Sequence, residues 1–362
     1  MATETLEPIT AAGLLVTDYC PARCRHCYVS AGPDGKRWMT VDAARGHFSA
    51  LRRLGVSADG IHIGGGEPFG RGTQNDFDRL LAIVRAARQA GLDGVGYVET
   101  GGAWVSEGEA RATADPCDPP LPRRARTARV REWLTALAEA GMRQLAISAD
   151  PYHQEFIPAE RVRLLYAAAR DALPRGGVRA RRWRWLQSPQ DVAAMGENER
   201  KSLFQSTLER YPERMTGRAA EELSPLARRV PIGEVPDDGC AKAILASGHV
   251  HVDPEGWVYP GTCAGIALGR ATAERPLDEL LCGWRVGDWP RIALLAAGGP
   301  KRLLDEAERC GFEADPAGYA GKCHLCWSVR RHWVQSGAGG EDFAPASVYV
   351  EMRVTNSKEN RR

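Results

Sequence analysis

Short strand-like runs alternate with longer amphipathic stretches over the first part of the chain. Runs that are typical of strands cover residues 13–18, 60–63, 95–98, 145–148, 178–186 and 214–218. Stretches with an apolar residue every three or four positions predict helices at residues 40–54, 76–90, 127–140, 158–173 and 192–210. Repeated strand–helix units predict an α/β fold with a parallel sheet and helices packed outside it.

Residue types at the helix ends support these boundaries. Thr40 is a suitable N-cap for the first helix, and Gly55 is a suitable stop after it. Pro158 is predicted at the first position of the fourth helix, where the missing proline N–H does no harm.

The strand–helix rhythm stops after Ala219. We therefore expect a lead-in at residues 1–12, an α/β unit at 13–220, a cysteine-rich domain at 236–335 and a tail at 336–362. Within the α/β unit, a proline-rich insertion at about residues 106–126 carries Cys117 and is long enough to be functional or disordered.

Composition narrows the class of protein. The chain has 362 residues, of which 43% are hydrophobic, and a formal net charge of +2, which gives no electrostatic case for a nucleic-acid or membrane partner. The N-terminus lacks the apolar segment of a signal peptide, and no run is long enough to span a membrane. We expect a cytoplasmic protein, in which ten cysteines favour metal binding over disulfides.

Three thiols lie close together directly after the first predicted strand. Cys20, Cys24 and Cys27 have the spacing CxxxCxxC, one thiolate short of the four that usually hold a [4Fe–4S] cluster. Such a site leaves one iron open for an external ligand, and a zinc knuckle is the alternative interpretation.

A glycine-rich turn follows the second predicted strand. It comprises Gly64, Gly65, Gly66, Glu67 and Pro68. Glycines permit close approach of the backbone to a ligand, and a carboxylate suits the ammonium group of an amino acid. A phosphate-binding loop would continue to a lysine, whereas this turn continues to Glu-Pro.

The two motifs in this order resemble those of the radical S-adenosylmethionine (SAM) enzymes, over roughly residues 13–335. The resemblance implies an open (βα)6 partial TIM-like barrel. It also implies a SAM-binding [4Fe–4S] cluster on the three cysteines, with the glycine turn at the SAM amino group. The implied chemistry is reductive cleavage of SAM to a 5′-deoxyadenosyl radical that abstracts hydrogen from a substrate. His26 departs from the family, which most often has an aromatic residue there.

Polar residues at the ends of later strands extend the implied SAM site. Ligand groups gather at the carboxyl ends of strands in barrel-like sheets. The residues assigned to SAM besides the glycine turn are Tyr28, Thr100, Ser148, Asp150, Arg182 and Arg184. His153 is the candidate that faces substrate instead, and strand-end caps are the alternative for Ser148, Asp150 and His153.

Arginines and tryptophans are interleaved at residues 179–185, a pattern that also occurs where proteins stack nucleic-acid bases. A strand explains it better: Arg182 and Arg184 would share one face, and Trp183 and Trp185 the other. One arginine inside the barrel is then expected to bind the SAM carboxylate.

The second region resembles the twitch/SPASM extension that binds an auxiliary [4Fe–4S] cluster. The implied ligands are Cys240, Cys263, Cys323 and Cys326, with Cys310 as the substitute. Cys263 is displaced from its usual place and the later cysteine run is missing, which favours the shorter twitch form. A zinc ribbon is the alternative. Residues 256–260 predict a hairpin, and His249, His251 and His324 are interpreted as structural.

The resemblance leaves the reaction open. We expect a small natural-product or metabolite substrate, because only about a dozen residues precede the first strand, and oxidation after hydrogen abstraction. The alternatives are an epimerase, in which Cys117 or Cys282 returns a hydrogen, a peptide cross-linking enzyme, and a non-catalytic zinc or iron–sulfur protein. A flavodoxin- or ferredoxin-type electron donor is the implied partner.

Overall fold

The computed structural model describes residues 4–105 and 123–349. Within them the strands form one sheet of order β5-β4-β3-β2-β1-β6-β7. Their bounds are β1 Ala11–Leu15, β2 Ile61–Gly64, β3 Val95–Thr100, β4 Met142–Ile147, β5 Val178–Ala180, β6 His249–Val252 and β7 Val258–Pro260. The sheet is open and mostly parallel, so the predicted α/β class is confirmed.

The helices alternate with the strands along the first half and then cluster. Their bounds are α1 Val41–Arg53, α2 Gln74–Gln89, α3 Arg123–Ala140, α4 Pro151–Gln154, α5 Ala159–Ala172, α6 Trp183–Gln187, α7 Glu197–Arg210, α8 Arg218–Glu222, α9 Ala241–Ile244, α10 Leu277–Cys282, α11 Pro290–Arg309 and α12 Lys322–Gln335. The hydroxyl of Thr40 accepts from the Ala43 N–H at 3.1 Å, which confirms the predicted cap of α1. Pro158 is the N-cap of α5, one position earlier than predicted.

The core lies between the sheet and the helices α1, α2, α3 and α5. These helices pack in that order against one another, as successive crossover connections of a parallel sheet do. Strand residues such as Leu14, Ile63, Val98, Leu145 and Ile147 are fully buried, as is typical of a parallel sheet covered by helices.

The hairpin of the second region extends the main sheet. β6 pairs in parallel with β1, and β7 pairs antiparallel with β6. The hairpin prediction is therefore confirmed. β1, which precedes the cysteine motif, is consequently a central strand flanked by β2 and β6. Side chains from the second region can thus reach the site at the end of β1.

Two strand predictions are wrong. The fifth strand ends at Ala180, Arg182 takes a positive φ of 53°, and residues 183–187 form a helix, so Arg182 and Arg184 do not share a strand face. The sixth predicted strand at 214–218 is a loop that leads into α8. In addition, the helix predicted from residue 192 begins at Glu197. None of the helices in the described ranges is long and apolar enough to cross a membrane.

Candidate active site

A cavity of about 400 Å³ opens at the carboxyl ends of β1 to β4, where loops of a parallel sheet usually form binding sites. Several predicted site residues line it together. They are Cys20, Cys24, Cys27, Tyr28, Gly65, Gly66, Glu67, Thr100, Ser148, Asp150, His153 and Arg182. The structure therefore brings the cysteine motif, the glycine turn and two later strand ends to one place.

A buried arginine that the sequence analysis did not single out holds the cysteine loop. The guanidinium of Arg218, 3% exposed, donates to the carbonyl of Cys24 at 3.0 Å and to that of Ala31 at 2.7 Å. The Cys20 N–H donates to the carbonyl of Gly32 at 3.0 Å. Because these bonds join separate parts of the loop, they restrict its shape. Only the fold brings Arg218, far along the chain, to this loop.

The glycine turn packs against the same loop. The N–H groups of Gly66 and Glu67 donate to the carbonyls of Thr17 and Tyr19, each at 2.7 Å. A Cβ on Gly66 would overlap the carbonyl oxygen of Tyr19. A glycine is therefore required here for contact between two loops of the protein, in addition to the approach of a ligand that we expected.

Glu67 is buried at the centre of this arrangement. Its carboxylate accepts hydrogen bonds from the Thr100 hydroxyl, at 2.7 Å and 2.9 Å, and from the Gly101 N–H at 3.1 Å. Burial raises its pKa to about 7, and the bond from Thr100 opposes that rise. Pro68 is buried but does not line the cavity, unlike the other residues assigned with the glycine turn.

Asp150 lies beside two histidines. Asp150 caps the short helix α4 by accepting from the His153 N–H at 3.1 Å, and its Oδ2 lies 2.9 Å from Nδ1 of His153. Nε2 of His26 lies 3.8 Å from the same oxygen. Burial alone would raise the pKa of Asp150, but the two histidines lower it below its usual range. Asp150 thus combines the predicted cap with a place in the cavity wall.

The remaining strand-end residues also contact charged partners. The Ser148 hydroxyl lies 3.4 Å from Oε1 of Glu99, and the guanidinium of Arg181 lies 3.1 Å from that oxygen. Arg182 pairs with Glu213 through Nη2, while its Nη1 is buried without a hydrogen-bond partner among the described residues. Arg184 is exposed on α6 and does not line the cavity, so its assignment to SAM finds no support here.

Three histidines meet in the wall of the same cavity. Each of His62, His249 and His251 places a ring nitrogen within 4.8 Å of the others. The Tyr28 hydroxyl lies 3.4 Å from Nε2 of His251. The sequence interpretation of His249 and His251 as structural does not include His62, which the fold brings beside them. The sequence feature that indicates such a group is the spacing of His249 and His251, since residues two apart on a strand share a face.

The four cysteines assigned to an auxiliary cluster lie together in the second region. Burial, and then proximity to Cys326, Cys263 and Cys323, raises the pKa of Cys240 to about 12. Burial, Cys326 and Cys263 likewise raise the pKa of Cys323 to about 11. Nη1 of Arg214 lies 3.1 Å from Sγ of Cys263.

The other cysteines differ in position. Cys310 is exposed at the end of α11, where its carbonyl contacts His332. Cys282 is exposed at the end of α10 and does not line the cavity, so its predicted role as a hydrogen donor does not fit its position. Cys117 lies outside the described residues.

A larger cavity of about 1090 Å³ shares Leu15, Val29, Ala31 and Gly65 with the first. It contains none of the cysteines or histidines described above. We therefore place the candidate active site in the smaller cavity, where the groups able to bind metal and cofactor converge.

Comparisons with known proteins agree with this location. The Radical SAM superfamily profile matches residues 14–173, which include the cysteine motif and the glycine turn. No curated protein matches the chain.

Three solved structures resemble the chain at low identity. BtrN in complex with AdoMet and 2-DOIA is 13% identical, with 82% of this chain and 91% of that chain covered and a TM-score of 0.41. Streptococcus suis SuiB bound to precursor peptide SuiA is 13% identical, with 71% of this chain and 61% of that chain covered and a TM-score of 0.31. Native anSMEcpe with bound AdoMet and Cp18Cys peptide is 12% identical, with 89% of this chain and 96% of that chain covered and a TM-score of 0.31. At TM-scores this low, the likenesses carry no argument about the reaction of this chain.

Proposed function

We propose that residues 14–173, which match the Radical SAM superfamily profile, form a domain of that superfamily and that the cavity described above is its active site. The main observation in support is that one cavity is lined by all three motif cysteines, by the glycine turn and by the buried Glu67. A non-catalytic metal-binding protein would need neither the glycine turn nor a buried glutamate in its metal site.

The residues present fit the cofactors that the family implies, a [4Fe–4S] cluster and SAM. Cys20, Cys24 and Cys27 would hold three of the irons. Glu67 would take the SAM ammonium group, and the unpartnered Nη1 of Arg182 would take the SAM carboxylate. A buried guanidinium nitrogen without a partner is costly, so an anion at this place would offset that cost.

When bound, the cluster and SAM supply a radical able to remove a hydrogen atom from an unactivated carbon. The protein's part is to hold that carbon in position. Ser148 keeps its assignment to SAM, whereas His153 and Arg181 line the cavity near the SAM-binding groups and offer polar contacts to a substrate.

We propose that Cys240, Cys263, Cys323 and Cys326 bind a second [4Fe–4S] cluster, in an auxiliary domain at residues 236–335 that follows the partial barrel at 13–220. Their mutual proximity supports this assignment. Thr262 lines the cavity beside Cys263, and Arg214 also lines it while contacting Sγ of Cys263. A cluster here would therefore lie beside the substrate cavity, as an acceptor of the second electron in a substrate oxidation would.

The proposed substrate is a small, polar natural product or metabolite. Charged groups such as Glu99, Arg181, Glu213 and Arg214 line the cavity and suit a polar substrate. A modified peptide is the alternative, in which one side chain enters the cavity. A flavodoxin- or ferredoxin-type protein is the proposed source of the first electron.

The test is SAM cleavage by the anaerobically purified, reduced protein. Wild type should produce 5′-deoxyadenosine, and the triple variant Cys20→Ala/Cys24→Ala/Cys27→Ala should produce none. Cys310→Ala is the matched control, because it removes an exposed thiol away from the cavity and should retain activity. Cleavage that persists in the triple variant would contradict the proposed site.

Oxidation is tested separately once a substrate is known. An oxidation returns no hydrogen to the substrate carbon, so product formed in D2O should gain no deuterium and each product should consume one SAM. Deuterium at that carbon would instead establish an epimerase. Its loss in Cys117→Ala would then identify the donor thiol.

A further inference from the structure

We propose that His62, His249 and His251 form a binding site for one divalent transition-metal ion of the zinc class, in the wall of the active-site cavity. One ring nitrogen from each lies within 4.8 Å of the other two. Three imidazoles with an open fourth position are a donor set that proteins use for zinc ions that act on a ligand.

Strands β2 and β6, which lie on either side of β1, position these rings. Gly13 of β1 lies between His62 of β2 and His251 of β6 in the sheet register. A Cβ on Gly13 would overlap ring atoms of both histidines. Because glycine has no side chain, the rings from β2 and β6 meet above β1, and their Nε2 atoms lie 3.3 Å apart. Two nitrogens bound tetrahedrally to zinc at about 2.0–2.1 Å are separated by about 3.3 Å.

A backbone contact orients His251 for metal binding. Its Nδ1 lies 2.6 Å from the carbonyl oxygen of Gly261, which can only accept, so Nδ1 carries the hydrogen. The lone pair of His251 is then on Nε2, which faces His62. Metal-binding histidines usually donate their second ring N–H to a carbonyl or carboxylate in this way.

Hydrogen bonds among the three histidines do not satisfy the nitrogens of all three rings. A single hydrogen can be shared between Nε2 of His62 and Nε2 of His251. Nε2 of His249 is buried and has no hydrogen-bond partner among the described residues. Buried polar atoms are rarely left in this state, and an ion is one of the few explanations.

The site is separate from the cysteine sites in its ligands. It contains no thiolate, whereas the proposed cluster sites contain three and four. Because the histidines line the cavity, a ligand on the open position of the metal would lie inside it. The metal would thus anchor an oxygen or nitrogen group of the substrate; this role rests on the proposed function, whereas metal binding does not.

Zinc binding to the full chain, with its cysteines loaded with iron, tests the site. Anaerobic titration with Zn²⁺ alone should give one equivalent bound to wild type. Zinc X-ray absorption should show nitrogen or oxygen neighbours at about 2.0–2.1 Å and no sulfur at about 2.3 Å. Zinc with sulfur neighbours, or no zinc bound by iron-loaded wild type, would overturn the proposal.

Two variants and a control locate the ion. His62→Gln should weaken zinc binding by more than about tenfold, since even residues behind the ligands contribute about 10–100-fold. Gly13→Ala keeps all three histidines but displaces their rings, and should weaken binding similarly. His47→Gln replaces a buried histidine on α1 outside the cavity and should bind as wild type does.

Unchanged zinc affinity in both His62→Gln and Gly13→Ala would refute the site. Iron content and 5′-deoxyadenosine formation, measured on the same samples, separate the two hypotheses. Zinc bound by a protein that cleaves no SAM would contradict the proposed function while supporting the histidine site.

Discussion

The hydroxyl of Thr100 lies 2.7 Å from Oε1 and 2.9 Å from Oε2 of Glu67, and so joins the end of β3 to the glycine turn after β2. The same hydroxyl oxygen accepts from the Gly102 N–H at 2.9 Å and from the Trp104 indole at 3.1 Å. Thr100 was assigned to SAM from the sequence. Its contacts indicate that it also positions the carboxylate.

Replacing Thr100 with valine should weaken SAM binding and lower the free energy of unfolding by about 1–3 kcal/mol, because the buried Glu67 loses its hydroxyl donor. Isothermal titration with SAM and anaerobic urea unfolding measure the two effects. Thr207→Val is the control, since this buried hydroxyl donates only to the carbonyl of Leu203 within α7. Unchanged SAM affinity in Thr100→Val would contradict the positioning role.

SAM affinity should fall as pH decreases from 7 to 5.5. Burial raises the pKa of Glu67 to about 7, so the carboxylate becomes neutral below that pH and no longer attracts an ammonium group. The amino group of SAM stays protonated over this range, since α-amino groups have pKa values of about 7.7–8.0. The loss should approach about tenfold per pH unit. The Glu67→Gln variant has no titrating carboxylate at this position. If its SAM affinity fell equally with pH, a group other than Glu67 would be responsible.

Iron content should separate the two proposed clusters. Wild type should contain about eight irons per chain, and Cys323→Ala/Cys326→Ala about four. That double variant should still cleave SAM, because the motif cysteines are intact, but should form no oxidised product. Cys310→Ala is expected to keep about eight irons. A loss of four irons in Cys310→Ala would make Cys310 a ligand instead.

Arg214→Gln should lower the reduction potential of the auxiliary cluster. A guanidinium 3.1 Å from Sγ of Cys263 stabilises the more negative, reduced state, and hydrogen bonds to sulfur are among the determinants of cluster potential. A redox titration followed by electron paramagnetic resonance measures the shift. Arg210→Gln, which removes an exposed cation stacked on Tyr211, should leave the potential unchanged. An unshifted potential in Arg214→Gln would place the cluster away from Cys263.

The sequence alone determined the helices and strands that have a clear hydrophobic periodicity. β1 to β4 and helices α1, α2, α3 and α5 follow the predicted periodicity, because burial of one helix face and of whole parallel strands imposes it. The start of α7 was predicted five residues too early, and strands were wrongly predicted at residues 214–218 and at residues 181–186. There the positive φ of Arg182 ends the strand, a choice that periodicity cannot reveal.

The resemblance to the radical SAM superfamily, whose profile matches residues 14–173, was also predicted from the sequence alone. Cys20, Cys24 and Cys27 and the glycine turn are short contiguous motifs that can be recognised without knowledge of the fold. Contacts between distant segments were decided only by the tertiary structure. Pairing of β6 with β1 brings His251 to His62, above a glycine without a side chain. Such a contact depends on strand order and register, and neither leaves a signal in the residues adjacent to His62.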